Sequence, residues 1–443
     1  MTLSRQICSC QAAKRHKALE MLLLSLPFLI LAWMIAFCTV PVPKADDYDA
    51  ILGYLCIPAP ERWAHIADFH NEHRLLTARI VFEAIVLPLG HFDFTICMAV
   101  GALFLGGYGL LVRQLFLYSK GIGRWLSIPF VWLIVSFLNY DNVCWAMTSV
   151  SNVQVHFWAL LSILLATRCA TNVWFASCLL CAFLATFSTG AGMSVWGALA
   201  VMVFQRRIHA LGSWSSVFAN FRSLFNVDRC AIVRLAAVSV VCPLLVCLYF
   251  HGFQSPSSGH AFSLGRAMLT FLAFSGAVIP VWSIALMIGV LTLLCLAWII
   301  WSMPRISNAA AFAFLSYLVA NILSVAIFRS YDPMMVLACR LRIVPISLLC
   351  VIAVLLVETM PFVTSYLRAL TCMVFLGVFL YLCAFTYVAY PSLAEQNTRL
   401  LTGIKSWPQD ASGLFCSEDG IERANGILLK SVRCGIYRVP RND

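Results

Sequence analysis

The densest chemistry in the chain lies in one stretch, PKADDYDAILGYL followed shortly by PERWAHIADFHNEHRLLTAR. Asp46 and Asp47 are adjacent, and Asp49 follows after Tyr48. Two neighbouring carboxylates cannot both shed water cheaply, so one is expected to hold a raised pKa or a cationic partner. A carboxylate tuned in that way can take a proton from an attacking hydroxyl. Farther on, His65, Asp68, His70, Glu72, His73 and Arg74 fall within ten residues. A helix over 64–80 would put His70, His73 and Arg74 on one face. Solvated loop carboxylates, or a turn that neutralises itself around Glu72, are the ordinary explanations. The density of ionisable groups, in a chain only 11% charged, favours a functional cluster.

A metal site is the sharp rival, because the spacing of His70 and His73 suits two imidazoles on one helix face. The stretch HNEHR nevertheless lacks the glutamate placement of a zinc protease motif. No metal and no other cofactor is expected. A divalent ion bridging Asp46 or Asp47 to a phosphate is the one exception left open.

Three later segments add polar groups. Asn139, Tyr140, Asp141, Asn142 and Trp145 form one, and Ser188, Thr189, Gly190, Ala191, Gly192 and Ser194 form the second. The third holds Arg329, Ser330, Tyr331, Asp332, Arg340 and Arg342. Guanidinium forks suit a lipid phosphate. The competing reading pairs Arg329 with Asp332 and leaves Arg340 and Arg342 to nonspecific headgroups. As a cluster, the arginines favour a phosphate site.

The elements that must position these groups are transmembrane helices. Of the 443 residues, 62% are hydrophobic, and runs such as Trp282 to Trp301 and Thr371 to Tyr390 carry no charge. A run of about 20 apolar residues crosses the hydrocarbon core as a helix, because lipid offers no partner to a free backbone group. The spacing predicts about eleven spans, at 20–41, 94–117, 125–139, 153–168, 171–188, 191–205, 233–251, 282–301, 308–328, 343–360 and 369–390. With the N-terminus cytoplasmic, the inner loops hold Arg113, Lys120, Arg124, Arg168, Arg206, Arg207, Arg222, Arg229, Arg305 and Arg368, and only Glu20, Asp228 and Glu358 among the acids. Thr77 to Leu89, Ala267 to Pro280 and the stretch around Ile57 to Phe69 are read as interfacial helices on the outer face. The expected fold is therefore an all-α polytopic membrane protein, with a transmembrane domain over 1–390, an outer catalytic loop over 43–79 and a short outer tail over 391–443.

The nineteen cysteines lie mostly in apolar runs and act there as small hydrophobes. Cys416 and Cys434, the two beyond the last span, can staple the tail if that side is oxidising. The net charge of +11 is spread over helix ends, so nucleic acid is not an expected partner. There is no P-loop and no nucleotide-binding glycine motif. A reaction on the outer face has no nucleotide to draw on, which points to a lipid-phosphate donor.

Taken together, the DD pair after the first span, the HNEHR stretch, the NYDNVCW loop, the STGAGMSVW turn and the late arginine loop resemble the GT-C class of polyprenyl-phosphate-sugar-dependent glycosyltransferases. The chain looks most like the serotype-converting O-antigen glucosyltransferases of phages and enteric bacteria, over most of its length up to about Tyr390. That resemblance implies a bacterial inner-membrane hexosyltransferase that modifies lipopolysaccharide in the periplasm, moving a sugar such as glucose from undecaprenyl phosphate to an O-antigen acceptor. It implies Asp46 and Asp47 as catalytic residues. His70, Glu72, His73, Arg74, Asp141, Arg329, Arg340 and Arg342 are the residues expected to bind substrate or donor phosphate. An O-antigen polymerase and a polysaccharide or lipid transporter are the alternatives. The first normally carries its main loop late in the chain, and the second places ionisable residues near the midplane.

Overall fold

The computed structural model describes residues 2–119, 124–168, 171–220, 229–253, 263–360, 366–410, 414 and 421–440. The helices are α1 (Thr2–Cys38), α2 (Ala59–Arg62), α3 (Leu76–Leu89), α4 (Phe94–Tyr118), α5 (Ser127–Ile134), α6 (Asp141–Cys144), α7 (Ala146–Thr167) and α8 (Asn172–Thr186). They continue with α9 (Ser194–Leu211), α10 (Trp214–Ala219), α11 (Arg229–Phe250), α12 (Leu264–Ser275), α13 (Trp282–Trp301), α14 (Ala309–Phe328) and α15 (Ile343–Thr359). A last long helix (Leu367–Ser406) and a tail helix (Ile421–Arg433) complete them. The strands among the described residues are β1 (Phe69–His70) and β2 (His73–Arg74).

The fold is all-α, and among the described residues seven helices are long and apolar enough to cross a membrane. Several are hydrophobic on every side, as lipid-facing helices must be. Leu103, Trp301 and Val388 point outward with 76%, 70% and 73% of their surface exposed, an arrangement suited to hydrocarbon and costly in water. The other four expected spans fold as α5, α8, α9 and α11, shorter or more polar than the seven.

Small residues set the closest helix approaches, as is common where lipid replaces water. A Cβ on Gly101 of α4 would lie 2.5 Å from the Ser149 side chain of α7. One on Gly289 of α13 would lie 2.0 Å from the Leu272 carbonyl of α12.

Polar groups collect at the two ends of the bundle. At one end Glu20 pairs with Arg113 and, at 3.2 Å, with Arg124. Asn308 there donates to the Leu115 carbonyl and the Ser119 hydroxyl, each at 2.7 Å, and Glu358 accepts from Ser307 at 3.0 Å. The two described acids expected among inner loops are thus both neutralised or hydrogen-bonded. The opposite end carries the loops with the candidate chemistry.

The last long helix runs through Pro391 to Ser406, past the end expected near residue 390. At about 1.5 Å per residue its length exceeds the hydrocarbon core. The end of this helix and the tail beyond it pack back on the first loop. Leu400, Ile404, Leu414, Leu428 and Tyr437 share a core with Tyr48, Ile51, Leu52, Phe92 and Phe94. The Tyr437 hydroxyl donates to the Pro41 carbonyl at 3.0 Å, and Phe92 N–H donates to the Ile436 carbonyl at 2.7 Å. The tail therefore forms part of the layer that roofs the bundle. Cys416 lies outside the described residues, and Cys434 is an exposed thiol.

Candidate functional site

The chain leaves α1 at Cys38 and turns sharply over Lys44–Asp47. Ala45 at the centre has φ of +46°, a left-handed conformation costing about 1–3 kcal/mol for a residue with a side chain. Asp47 holds that turn. Its carboxylate accepts from the Lys44 N–H at 2.9 Å and, across to α7, from the Met147 N–H at 2.9 Å. It is 1% exposed. Burial pushes the carboxyl up to about 7, against the pull of those two N–H donors and of the Lys44 charge. Asp47 is therefore a buried pin.

Asp46 is the one presented outward, with 41% of its side chain exposed. Its carboxylate lies 3.9 Å from the Arg340 guanidinium. Arg340 also stands over the Trp145 ring at 5.2 Å, and Lys44 approaches the same ring at 4.9 Å. The Lys44 ammonium donates to Asp141 and to Gln396, each at 3.1 Å. Asn142 donates to the Arg340 carbonyl at 3.0 Å. The start of the first loop, the Asp141 loop, the late arginine loop and the last long helix thus meet around Asp46.

Arg342 lies deeper and is 3% exposed. Its guanidinium lies 4.7 Å from the Phe385 ring and donates to the Leu138 carbonyl at 3.4 Å, while its Nε has no partner. No carboxylate pairs with it among the described residues. A buried cation without a counter-charge is costly, and a bound anion would relieve the cost.

A continuous helix over 64–80 is not formed. Residues 69–74 make a two-stranded hairpin in which His70 faces His73. Asn71 at its tip takes φ of +51°, a conformation asparagine tolerates well and one that breaks a helix. Arg74 then cannot share a helical face with the histidines. Its guanidinium donates to the carbonyls of Tyr249, Ala67 and His251 and stacks 4.1 Å from the Phe69 ring. Those contacts tie the hairpin to the end of α11. Glu72 pairs with Arg329 at the end of α14, so Arg329 does not pair with its neighbour Asp332. Arg329 also donates to the Tyr331 hydroxyl at 3.1 Å.

The surroundings of both hairpin histidines favour the neutral imidazole. Burial, with His70 beside it, lowers the His73 imidazole to about 4, and burial lowers His70 as well. Neutral imidazoles are poor phosphate ligands and good partners for hydroxyl groups. The Nδ1 of His73 lies 3.5 Å from the Gly190 N–H in the turn leading to α9, and Thr77 donates to Ser188 at 2.8 Å. The STGAG segment thereby backs the hairpin.

Lys44, Gln396 and the pairing of Asp49 with Arg423 at 2.8 Å were not singled out from sequence. Lys44 abuts the DD pair, which was a usable signal. Gln396 and Arg423 lie in the tail and had none. Among the described residues no three His, Cys, Asp or Glu side chains converge as a metal-ligand set. Chemically, the site offers one exposed carboxylate beside an arginine, a lysine and an aromatic ring, with a buried guanidinium behind that has no carboxylate partner among the described residues. Comparison of the chain with family models, curated proteins and solved structures returns no match.

Proposed function

We propose that this protein is a membrane glycosyltransferase that moves a sugar, glucose in the simplest case, from a polyprenyl-phosphate donor to a periplasmic glycan such as O-antigen. The observation that carries the reading is the position of Asp46, held outward by its buried neighbour at a bundle end where Arg340, Lys44 and the buried Arg342 gather. A base that faces water, next to cations that can take up a phosphate, is the pairing such a transfer needs. The acceptor oxygen bonds to the anomeric carbon as the bond from that carbon to the phosphate oxygen breaks. The hydroxyl proton passes to Asp46, and polyprenyl phosphate leaves with the electron pair. Arg340, with Arg342 behind it, offsets the charge on the departing phosphate. His70 and His73, uncharged, are placed to hold sugar hydroxyls, and Glu72 with Arg329 fixes the hairpin that carries them.

In this reading the seven long helices together with α5, α8, α9 and α11 make about eleven crossings, in a GT-C-like arrangement. The protein sits in a bacterial inner membrane, with the N-terminus cytoplasmic and the tail outside. Cysteine labelling in intact cells is expected to place Ala45, Asp332 and Gly413 outside and Lys14 and Arg206 inside. Protection of Gly413 from an impermeant reagent would defeat the odd number of crossings.

The direct test uses purified protein, polyprenyl-phosphate glucose and lipid-linked O-antigen. Addition of single glucose residues supports the proposal, whereas lengthening by whole repeat units would identify a polymerase. No reaction with labelled donor, by protein that remains folded, would reject both. In the same assay Arg340→Ala is expected to raise KM for the donor about tenfold, the loss of about 1.4 kcal/mol, with little change for the acceptor. An equal effect on both substrates would remove Arg340 from the donor side.

A further inference from the structure

A second feature of the roofing layer is not used by the donor chemistry. Between the hairpin and the tail helix lies an open crevice of about 400 Å³, inside the range of about 300–1,000 Å³ that small ligands fill. Its walls include Asp49, Tyr54, Asp68, Phe69, His70 and Arg423. This set differs from the surroundings of Arg340: His65 and Arg79 also line it, and its two carboxylates are matched within the wall, Asp49 by Arg423 at 2.8 Å and Asp68 by His65 at 2.6 Å. Walls whose charges are balanced among themselves suit an uncharged polyol better than a phosphate, since its hydroxyls can bond to the carboxylates and imidazoles while its ring C–H faces lie on aromatic surface.

The crevice is built on firm supports. Buried Arg79 donates to the carbonyls of His65 and Asp68, each at 2.8 Å, and stacks 4.8 Å from the Tyr54 ring. The tail helix is held by Leu428, fully buried, while its Arg423 stays exposed and reaches Asp49 at 2.8 Å. Asp49 on the crevice wall lies in the helical turn that follows Asp46, where the Ala50 N–H donates to the Asp46 carbonyl at 2.8 Å, so the crevice adjoins the exposed carboxylate.

We infer that this crevice between the hairpin and the tail helix docks the acceptor glycan, and that Arg423 on the tail helix helps select it. The inference rests on the proposed transferase reading and deepens it: the acceptor enters from the tail side of Asp46 and the donor phosphate from the Arg340 side. The tail helix is thereby a specificity element.

The test compares full-length wild-type protein with Arg423→Ala, Arg423→Lys and Asp68→Asn. The primary readout is binding of O-antigen polysaccharide released from the host's own lipopolysaccharide, measured without donor by saturation-transfer NMR and calorimetry. The second readout is KM for each substrate in the transfer assay. Arg423→Ala and Asp68→Asn are expected to weaken glycan binding and raise acceptor KM about tenfold, a change of about 1.4 kcal/mol, with donor KM unchanged. Arg423→Lys, which keeps the charge, is expected to recover part of the loss. Two results overturn the inference: wild-type protein that does not bind the glycan, or variants whose acceptor binding and KM match wild type. Glycan binding that is lost in the variants, in a protein showing no sugar transfer, would keep the crevice as a glycan site and reject the transferase reading alone.

Discussion

Asp46→Asn is expected to reduce sugar transfer by roughly 10²–10⁴-fold, the usual loss when a general base is removed. The fold should survive it. The Asp46 side chain is 41% exposed and its ion contact to Arg340 is long at 3.9 Å. Exposed substitutions of this kind usually shift stability by no more than about 0.5 kcal/mol. Thermal unfolding of the purified variant should therefore match wild type, and donor binding should persist because Arg340, Lys44 and Arg342 are untouched. Asparagine keeps the size of the side chain but loses its charge and its capacity to take a proton. Transfer at near wild-type rate by a folded Asp46→Asn protein would leave the proposed mechanism without its base.

Asp47→Ala should behave in the opposite way, although the two aspartates are neighbours. Removing this carboxylate leaves the Lys44 and Met147 N–H groups buried without an acceptor, at about 1–3 kcal/mol each. It also releases the left-handed turn at Ala45 that aims Asp46. The expected outcome is a lowered unfolding temperature and lost activity together. Asp47→Asn, which can still accept one of the two bonds, should fall between. The pH dependence has a definite sign. The folded-state pKa of Asp47 is raised from 3.8 to about 7, so its protonated form is favoured on folding. That contribution is complete below about pH 4 and is lost as pH rises toward 7. Wild-type stability should fall across this window, and the Asp47→Ala variant should lack that component, so the gap between them narrows with rising pH. A stable Asp47→Ala protein with a normal unfolding temperature would show that the turn has another support.

Much of the architecture is legible in composition alone, because lipid leaves the backbone few choices. A long uncharged run such as Trp282 to Trp301 has to be a helix, since no other arrangement of one segment satisfies its own N–H and C=O groups. The clustering of candidate groups was also readable. Asp46, Glu72, Asp141, Arg329 and Arg340 all come to the same end of the bundle, because charged residues are excluded from hydrocarbon and collect where chains emerge. The short polar elements were less legible. Spacing suggested a helix through His70, His73 and Arg74, but a left-handed Asn71 and the carbonyls waiting for Arg74 made a hairpin.

What sequence could not divide was the aspartate pair. Asp46 and Asp47 are chemically identical, and a carboxylate becomes a base or a pin according to how much water it keeps and which donors face it. Those donors come from elsewhere in the chain: the Met147 N–H at the start of α7 for Asp47, and Arg340 for Asp46. In the same way Lys44 finds an acceptor in Gln396, 352 positions away. Composition and local pattern determined that these groups would emerge at a membrane surface. Only the packing of distant helix ends, which sets desolvation and pairing residue by residue, decided which of them stayed free to react.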